Sequence, residues 1–431
     1  MKNIFLPSDL IRRINSFSSV FKYDNDYVNE FFLRSTFGSK DYINDTLSLH
    51  YCYSNTQMKK ILRIVFIFLA LSLLPIIILA SILISIYFLI TQRYELGITN
   101  SKFSKIAIIR YGPTFSKLNF LKRDGVIFYT DSIKYQHPEI KFSIYSQPLS
   151  VRLTGVLHIT FYAIRDYLYL IDMLFRMFDN QKSFNYFMYI FPRIPAKVSY
   201  EYYLLNIICR LSPTTLYTGS KEDRYAMVDS RLTFANNTKL ICIPHGMEYS
   251  IKMPMGLPGD VFYCYSEVSE KYFKKIYTYC EDKFVYDSKI LSSMLSCGIK
   301  PSKTKRVVFF PQLREFNTNI YIMTELNKLD LNYFIKLHPN DSIDKYENLF
   351  NDLKIINSYG DAISNNVCLS CASTVLLEAI YNNSDSIALL VNDSNITKFD
   401  SYYPALHDAS ILRAYSFHDL STILKNIMDP I

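Results

Sequence analysis

The chain has 431 residues, of which 49% are hydrophobic, and its formal net charge is +8. This length allows two or three domains with a sizeable core, and the composition excludes an intrinsically disordered chain. The basic residues are spread along the chain, which favours contact with an anionic membrane surface or an anionic substrate. No basic run or basic-aromatic patch stands out, so the sequence argues against nucleic acid as a partner.

The uncharged run from Ile64 to Gln92 is the first informative feature, after a polar segment, residues 1–60, to which we assign no role. A helix of this length measures about 40 Å, against about 30 Å for the hydrocarbon core of a bilayer. The run is apolar on every face and too far along the chain to be a signal peptide, so residues 61–92 are predicted to insert in a membrane. Pro75 is predicted to kink the helix. Basic residues flank both ends, so a tilted single span and a re-entrant hairpin both stay open.

After the membrane segment, short apolar runs alternate with helical stretches, which predicts an α/β protein with parallel strands and crossover helices. The pattern restarts near residue 300, and we predict one Rossmann-like domain over 103–300 and a second over 301–431, facing each other across a cleft. Strands are predicted at 101–112, 124–132, 214–219, 260–266, 306–312 and 353–358. A strand followed by its exit loop is predicted at 239–246 and at 333–341, and strand, turn, helix and strand are predicted over 365–391. Helices are predicted at 151–178 and 197–211, from near Lys221, in "EVSEKYFKKIY" and "NIYIMTELNKL", and in the closing "FHDLSTILKNIM".

The eight cysteines show no disulfide framework, which is typical of a reduced protein that faces the cytosol. Cys368 and Cys371 form a lone C-x-x-C motif. A zinc site requires a second pair of ligands, so we interpret both as packing residues and predict no metal site.

Polar side chains follow several predicted strands, at the edge where open parallel sheets bind ligands. His338 and Pro339 follow "YFIKL", next to Lys336, and an imidazole there can donate to a phosphate oxygen. Ser373 and Thr374 follow "NNVCLS" and open a helix, where hydroxyls and backbone N–H groups form a phosphate seat. A surface turn at "HPND" and ordinary helix capping by Ser373 and Thr374 are the alternatives.

Two further groups provide candidate general bases. Glu222 and Asp223 follow the strand in "TTLYTG", although an acidic helix start has the same appearance. His245 and Gly246 follow "KLICIP", with Glu248 nearby, so that an imidazole and a carboxylate lie within four residues. Either group can take a proton from an acceptor hydroxyl. Gly246 is alternatively an ordinary turn residue.

The motifs "IPHGMEY", "IKLHPND" and "CASTVLLEA", within roughly residues 210–391, resemble those of inverting GT-B glycosyltransferases that build bacterial surface polysaccharides. The nearest groups are the bacterial sialyltransferases and polysialyltransferases. Capsule Kdo transferases and the teichoic-acid CDP-glycerol phosphotransferases share the outline. The resemblance implies a GT-B fold of two facing Rossmann-like domains, the first for the acceptor and the second for the nucleotide donor. It also implies an enzyme at the cytoplasmic side of the inner membrane that needs no bound metal and no cofactor.

By this resemblance His338, Ser373 and Thr374 hold the donor phosphate together with Lys336. Contacts to the donor nucleotide are expected from Gln312, Pro339 and Glu378. In these families the base is a carboxylate of an acidic pair followed by glycine, whereas here Arg224 follows Glu222 and Asp223. The base therefore stays open among Glu222, Asp223, His245 and Glu248.

The resulting hypothesis is transfer of an acidic sugar of the sialic acid type from a CMP-linked donor to a hydroxyl of a glycan or lipid-linked acceptor. A CDP-glycerol or CDP-ribitol phosphotransferase, or a UDP-sugar transferase, is the alternative within the same fold. A non-catalytic membrane scaffold is the alternative outside enzymes.

Overall fold

The computed structural model describes most of the chain after the polar N-terminal segment. The described ranges are 68–91, 105–110, 112–131, 139–140, 142–177, 191–219, 225–244, 246–248, 259–277, 281–298, 305–313, 315–350 and 352–428. Two compact units account for these residues: Met1–His245 with Lys252–Phe262, and Gly246–Ile251 with Tyr263–Ile431.

The first part of the chain contains a long apolar helix followed by alternating strands and helices. The helices are α1 (Leu74–Thr91), α2 (Gly112–Leu118), α3 (Leu149–Met177), α4 (Ile194–Leu211) and α5 (Ala226–Ala235). The strands are β1 (Lys105–Ile109), β2 (Ile127–Thr130), β3 (Phe142–Ser143), β4 (Thr215–Thr218), β5 (Lys239–Cys242) and β6 (Val261–Tyr263). With β7 (Phe284–Val285) they form sheet one, in the order β3-β2-β1-β4-β5-β6-β7.

The second part of the chain repeats this alternation in shorter elements. The helices are α6 (Glu267–Ile276), α7 (Ser288–Leu295), α8 (Phe316–Lys328), α9 (Asp344–Glu347), α10 (Tyr359–Ile363), α11 (Val375–Ile380), α12 (Asp393–Tyr402) and α13 (Phe417–Met428). The strands are β8 (Val307–Phe309), β9 (Tyr333–Ile335), β10 (Val367–Ser370), β11 (Asp385–Leu389) and β12 (Ile411–Ala414). They form sheet two, in the order β12-β11-β10-β8-β9.

Both sheets have parallel pairing, which confirms the predicted α/β class. Sheet two is parallel throughout, and sheet one is parallel from β3 to β6. Strands such as β8 and β10 are buried at every position, because helices cover both faces of a parallel sheet. The core of sheet two includes Cys368 and Cys371, which are packing residues as predicted.

Most predicted elements are present, with corrections at their ends. The predicted strand 353–358 is reduced to a single bridge between Ile355 and Ile335, after a left-handed residue at Asp352. A chain that has just turned there meets the edge of sheet two at one position only. The helix predicted from near Lys221 begins at Ala226, and Lys221 lies outside the described residues.

By contacts, the segment from Tyr263 onward belongs to the second compact unit, and the predicted boundary near residue 300 stays a prediction. The carboxamide of Asn382 makes two of the contacts within this unit. Its Nδ2 donates to the carbonyl of Leu295, and its Oδ1 accepts from the N–H of Cys297 at 2.8 Å. The end of α7 is thereby fastened to the residues that follow α11.

The apolar segment is helical from Phe68 to Thr91, interrupted by a turn at Leu73, just before Pro75. The interruption is the predicted consequence of a proline, which removes a backbone donor and crowds the preceding turn. Among the described residues this is the one helix long and apolar enough to cross a membrane.

Candidate functional site

The exit loops of three neighbouring strands in sheet two start from one register row. Phe309 of β8 pairs with Ile335 of β9 and with Leu369 of β10. His338 follows Ile335 by three residues, and Ser373 follows Leu369 by four. Because β8 lies between β9 and β10, the two outer strand ends are about 10 Å apart. The topology therefore brings the predicted phosphate ligands to the same sheet edge, on loops separated by one strand.

The loop after β9 holds His338 in a defined orientation. The backbone N–H of Asn340 donates to Nδ1 of His338 at 3.1 Å, and the N–H of Asp341 donates to the carbonyl of His338 at 2.9 Å. With Nδ1 accepting, the proton of the neutral imidazole lies on Nε2. The side chain is exposed, as is that of Pro339. "HPND" is thus a hydrogen-bonded turn, and it presents an N–H donor.

A buried hydrogen-bond chain connects this turn to the loop after β8. The Asp341 carboxylate accepts from the hydroxyl of Tyr346 at 3.0 Å, and that hydroxyl accepts from Nδ2 of Asn319 at 3.1 Å. Asn319 also accepts from the N–H of Gln312 at 3.0 Å and donates to the carbonyl of Gln312 at 2.8 Å. Asn319 and Tyr346 are buried, so the two exit loops have fixed relative positions.

The side chain of Lys336 also makes a hydrogen bond within the protein. Its Nζ donates to the backbone carbonyl of Asn357 at 2.9 Å, and partial burial lowers the pKa of the ammonium group. An ammonium has three donors, so this single bond is compatible with a second contact to an anion. Lys336 thus lies near the edge of sheet two. Its ammonium group is bonded to a backbone carbonyl, a contact that the sequence did not predict.

Ser373 and Thr374 immediately precede α11, as predicted. Thr374 occupies the N-cap position in a helical conformation, and among the described residues its hydroxyl makes no capping bond. The Ser373 hydroxyl accepts from the N–H of Val375 at 3.4 Å, which is a long contact. Strong side-chain capping by these two residues, the alternative function, is therefore not what the geometry shows.

Glu378 lies on α11 and is largely buried. One of its carboxylate oxygens accepts a hydrogen bond from the hydroxyl of Tyr359 at the start of α10. Burial, then the neighbouring carboxylate, raises the pKa of Tyr359 well above its usual value, so the phenol stays protonated as the donor. The predicted nucleotide contact is thus a carboxylate whose position is set by a tyrosine.

Glu248, one of the four candidate bases, is fully buried. Its Oε1 accepts from the backbone N–H of Tyr265 at 2.6 Å and from the hydroxyl of Ser269 at 3.2 Å. Ser266 caps the same helix, α6, through a reciprocal capping box with Ser269. A carboxylate at a helix N-terminus is stabilising, so this geometry gives Glu248 a positioning function at α6. The other three candidates, Glu222, Asp223 and His245, lie outside the described residues.

A second cluster, which the sequence reasoning missed, lies at the carboxyl edge of sheet one. Arg110 follows β1 and donates to Asp131, which follows β2, at 2.9 Å, and to Asp229 of α5 at 2.8 Å. The Tyr200 hydroxyl donates to Asp229 at 2.5 Å and accepts from Arg110 at 2.6 Å. All four side chains are buried. The sequence does contain a pattern that indicates this cluster. In both "IAIIR" and "VIFYTD" an apolar strand is followed directly by a charged residue.

No protein-family model matches the chain, and no curated protein matches it. Among solved structures, the chain is similar to UDP-GlcNAc 2-epimerase from Neisseria meningitidis bound to UDP-GlcNAc. The two are 11% identical, the alignment covers 76% of this chain and 92% of that chain, and the TM-score is 0.43.

Proposed function

We propose that the chain is a glycosyltransferase that uses a nucleotide-activated sugar, with the donor phosphate bound at the carboxyl edge of sheet two. The observation that supports this is the common register row, from which the loops of His338 and of Ser373 and Thr374 leave. A phosphate between them would accept from Nε2–H of His338 and from the two hydroxyls.

The reaction we propose is a direct displacement at the anomeric carbon. A base among Glu222, Asp223 and His245 takes the proton of the acceptor hydroxyl, and the alkoxide attacks the anomeric carbon. The bond between that carbon and the phosphate oxygen breaks, and the nucleotide leaves with the bonding electrons. The Nε2–H of His338 stabilises the charge that develops on the leaving phosphate. The acceptor is a glycan or a lipid-linked glycan, in keeping with membrane attachment at the cytoplasmic face of the inner membrane.

The donor we favour is CMP-linked and carries an acidic sugar of the sialic acid type, because the His-Pro and Ser-Thr motifs resemble those of sialyltransferases. The decisive experiment incubates the full-length protein in detergent with CMP-sialic acid, CDP-glycerol and UDP-sugars in parallel. Release of CMP from the first supports this donor. Turnover of CDP-glycerol or of a UDP-sugar alone would show that the protein uses that class of donor instead. Nucleotide binding without turnover of any donor would favour the non-catalytic scaffold.

The phosphate site is tested separately by equilibrium binding of CMP. His338→Ala is expected to weaken CMP binding by roughly tenfold, the effect of losing one charge-assisted hydrogen bond. His418→Ala is the matched control, because His418 is an exposed histidine on α13 of the same unit. Equal CMP affinity in both variants would show that His338 does not bind the donor phosphate.

A further inference from the structure

The apolar helix from Phe68 to Thr91 packs against the α/β unit along its length. Its buried side chains recur at helical spacing and so lie on one face; they are Ala70, Ile77, Ser81, Ser85 and Phe88. Near its end, the Phe88 ring stacks on Tyr145, which follows β3, with the centroids 4.0 Å apart. The same ring meets Tyr203 of α4 edge to face. This face of the helix is therefore occupied by protein.

Helix α3 runs antiparallel beside it. At one end the Tyr167 hydroxyl donates to the carbonyl of Ala70, and at the other Arg152 donates to the carbonyl of Leu89 at 2.7 Å. The stretch from residue 70 to residue 89 is about 28 Å long. Hydrogen bonds thus join the two helices at both ends of a stretch about as long as a bilayer core is thick. Both helices also pack on α4.

The exposed face of α3 is apolar, whereas the exposed face of a helix in a soluble protein is normally polar. Its exposed positions carry large apolar side chains at spacings of four or seven, and Leu157 and Phe161 are 79% and 65% exposed. The large apolar residues are Leu149, Leu153, Leu157, Phe161 and Leu168. The other described exposed positions are Ser150 and Thr154. Water-exposed helix faces are normally charged, and extended apolar patches mark interaction surfaces.

The exposed face of the neighbouring helix is apolar as well, with Leu79, Leu83 and Ile90 among its exposed residues. We propose that this face and the α3 row form one lipid-binding surface, which inserts into a single leaflet of an anionic phospholipid bilayer. Lys59, Lys60, Arg63 and Arg93 flank the apolar segment in sequence and supply the charge that anionic headgroups attract.

A crossing orientation conflicts with the polar groups packed in this layer. Since α3 accompanies the apolar helix along its length, both would have to enter the hydrocarbon. Arg152 and Asp166 are buried on α3, and Asp166 pairs with Lys197 of α4 at 2.7 Å. Charges are costly at the centre of a bilayer, whereas a surface that lies in one leaflet keeps them on the protein side.

The absence of tryptophan from the sequence allows a direct test. Leu157→Trp and Phe161→Trp each introduce a single fluorophore on the α3 row, and Phe234→Trp, at a position 70% exposed on α5, is the matched control. Full-length protein is mixed with vesicles of phosphatidylcholine and phosphatidylglycerol whose acyl chains carry bromine. Both α3 variants are expected to shift to shorter emission wavelength and lose most of their emission, while Phe234→Trp keeps its emission.

Emission from the α3 variants that matches the control would overturn the proposal. The second readout adds a cleavable tag at each terminus of protein bound to sealed vesicles. Protease added outside is expected to remove both tags, because neither end crosses. Protection of one tag alone would show a crossing helix and reject the single-leaflet surface. Neither readout uses enzymatic activity, so this result and that for the proposed function are independent.

Discussion

The hydroxyl of Tyr346 donates to the carboxylate of Asp341 at 3.0 Å, three residues beyond His338. The same hydroxyl accepts from Asn319, which binds both backbone groups of Gln312. One buried phenol thus connects the exit loops of two adjacent parallel strands. The position of His338 therefore depends on residues that need not touch any ligand.

Tyr346→Phe is expected to lower the free energy of unfolding by about 1–2 kcal/mol, since both Asp341 and Asn319 lose a partner. CMP binding should weaken as well, because the turn that carries His338 loses its anchor. Urea denaturation and CMP titration measure the two effects. Tyr321→Phe on α8 is the control, as the Tyr321 side chain is exposed. Weakened binding in Tyr321→Phe to the same degree would contradict the anchoring function.

Ionisation of the Asp341 carboxyl should contribute to the pH dependence of the free energy of unfolding. Burial raises the pKa of this carboxyl, but hydrogen bonds from Lys345, Tyr346 and the Ser342 N–H outweigh it, so the pKa is lowered below 3.8. A group whose pKa is depressed by folding stabilises the protein above its unfolded pKa and loses that contribution as the pH falls through the folded value. Stability should therefore decline below about pH 4.

Asp341→Asn should make that acid-side decline shallower, measured by urea denaturation at a series of pH values. Asp393→Asn, at an exposed position in the first turn of α12, is the control. An unchanged acid-side slope in Asp341→Asn would show that the hydrogen bonds around this carboxylate do not favour its charged form.

Glu378 offers a way to separate nucleoside from phosphate recognition. If its carboxylate binds the ribose, Glu378→Gln should weaken CMP binding by roughly tenfold and leave inorganic phosphate binding unchanged. Tyr359→Phe should have the same selectivity with a smaller effect, because it removes only the hydrogen bond that holds Glu378. Competition titrations with CMP and phosphate distinguish the two ligands. Parallel losses for both would assign Glu378 to the stability of α11 instead.

Arg110 is expected to be a stability residue of sheet one. Arg110→Met removes the cation that neutralises two buried carboxylates, Asp131 and Asp229, and should cost about 3–5 kcal/mol. Arg123→Met, at an exposed position, should cost little. Thermal unfolding of the two variants measures the difference. Similar melting of Arg110→Met and the parent protein would mean that the cluster relaxes without its cation.

Local patterns in the sequence were sufficient for the α/β class, for the apolar helix with its break before Pro75, and for the placement of His338, Ser373 and Thr374 at strand ends. Each depends on hydrophobic period or on a residue's place directly after an apolar run, which are properties of adjacent residues. Only the tertiary structure decided which strands are neighbours, and therefore that β8 separates the loop of His338 from the loop of Ser373 and Thr374. It also decided that Tyr346 and Asn319 link those loops, and that the exposed row of α3 lies beside the apolar helix. These relations join residues far apart in the chain, so they follow from packing and strand register, which no local pattern encodes.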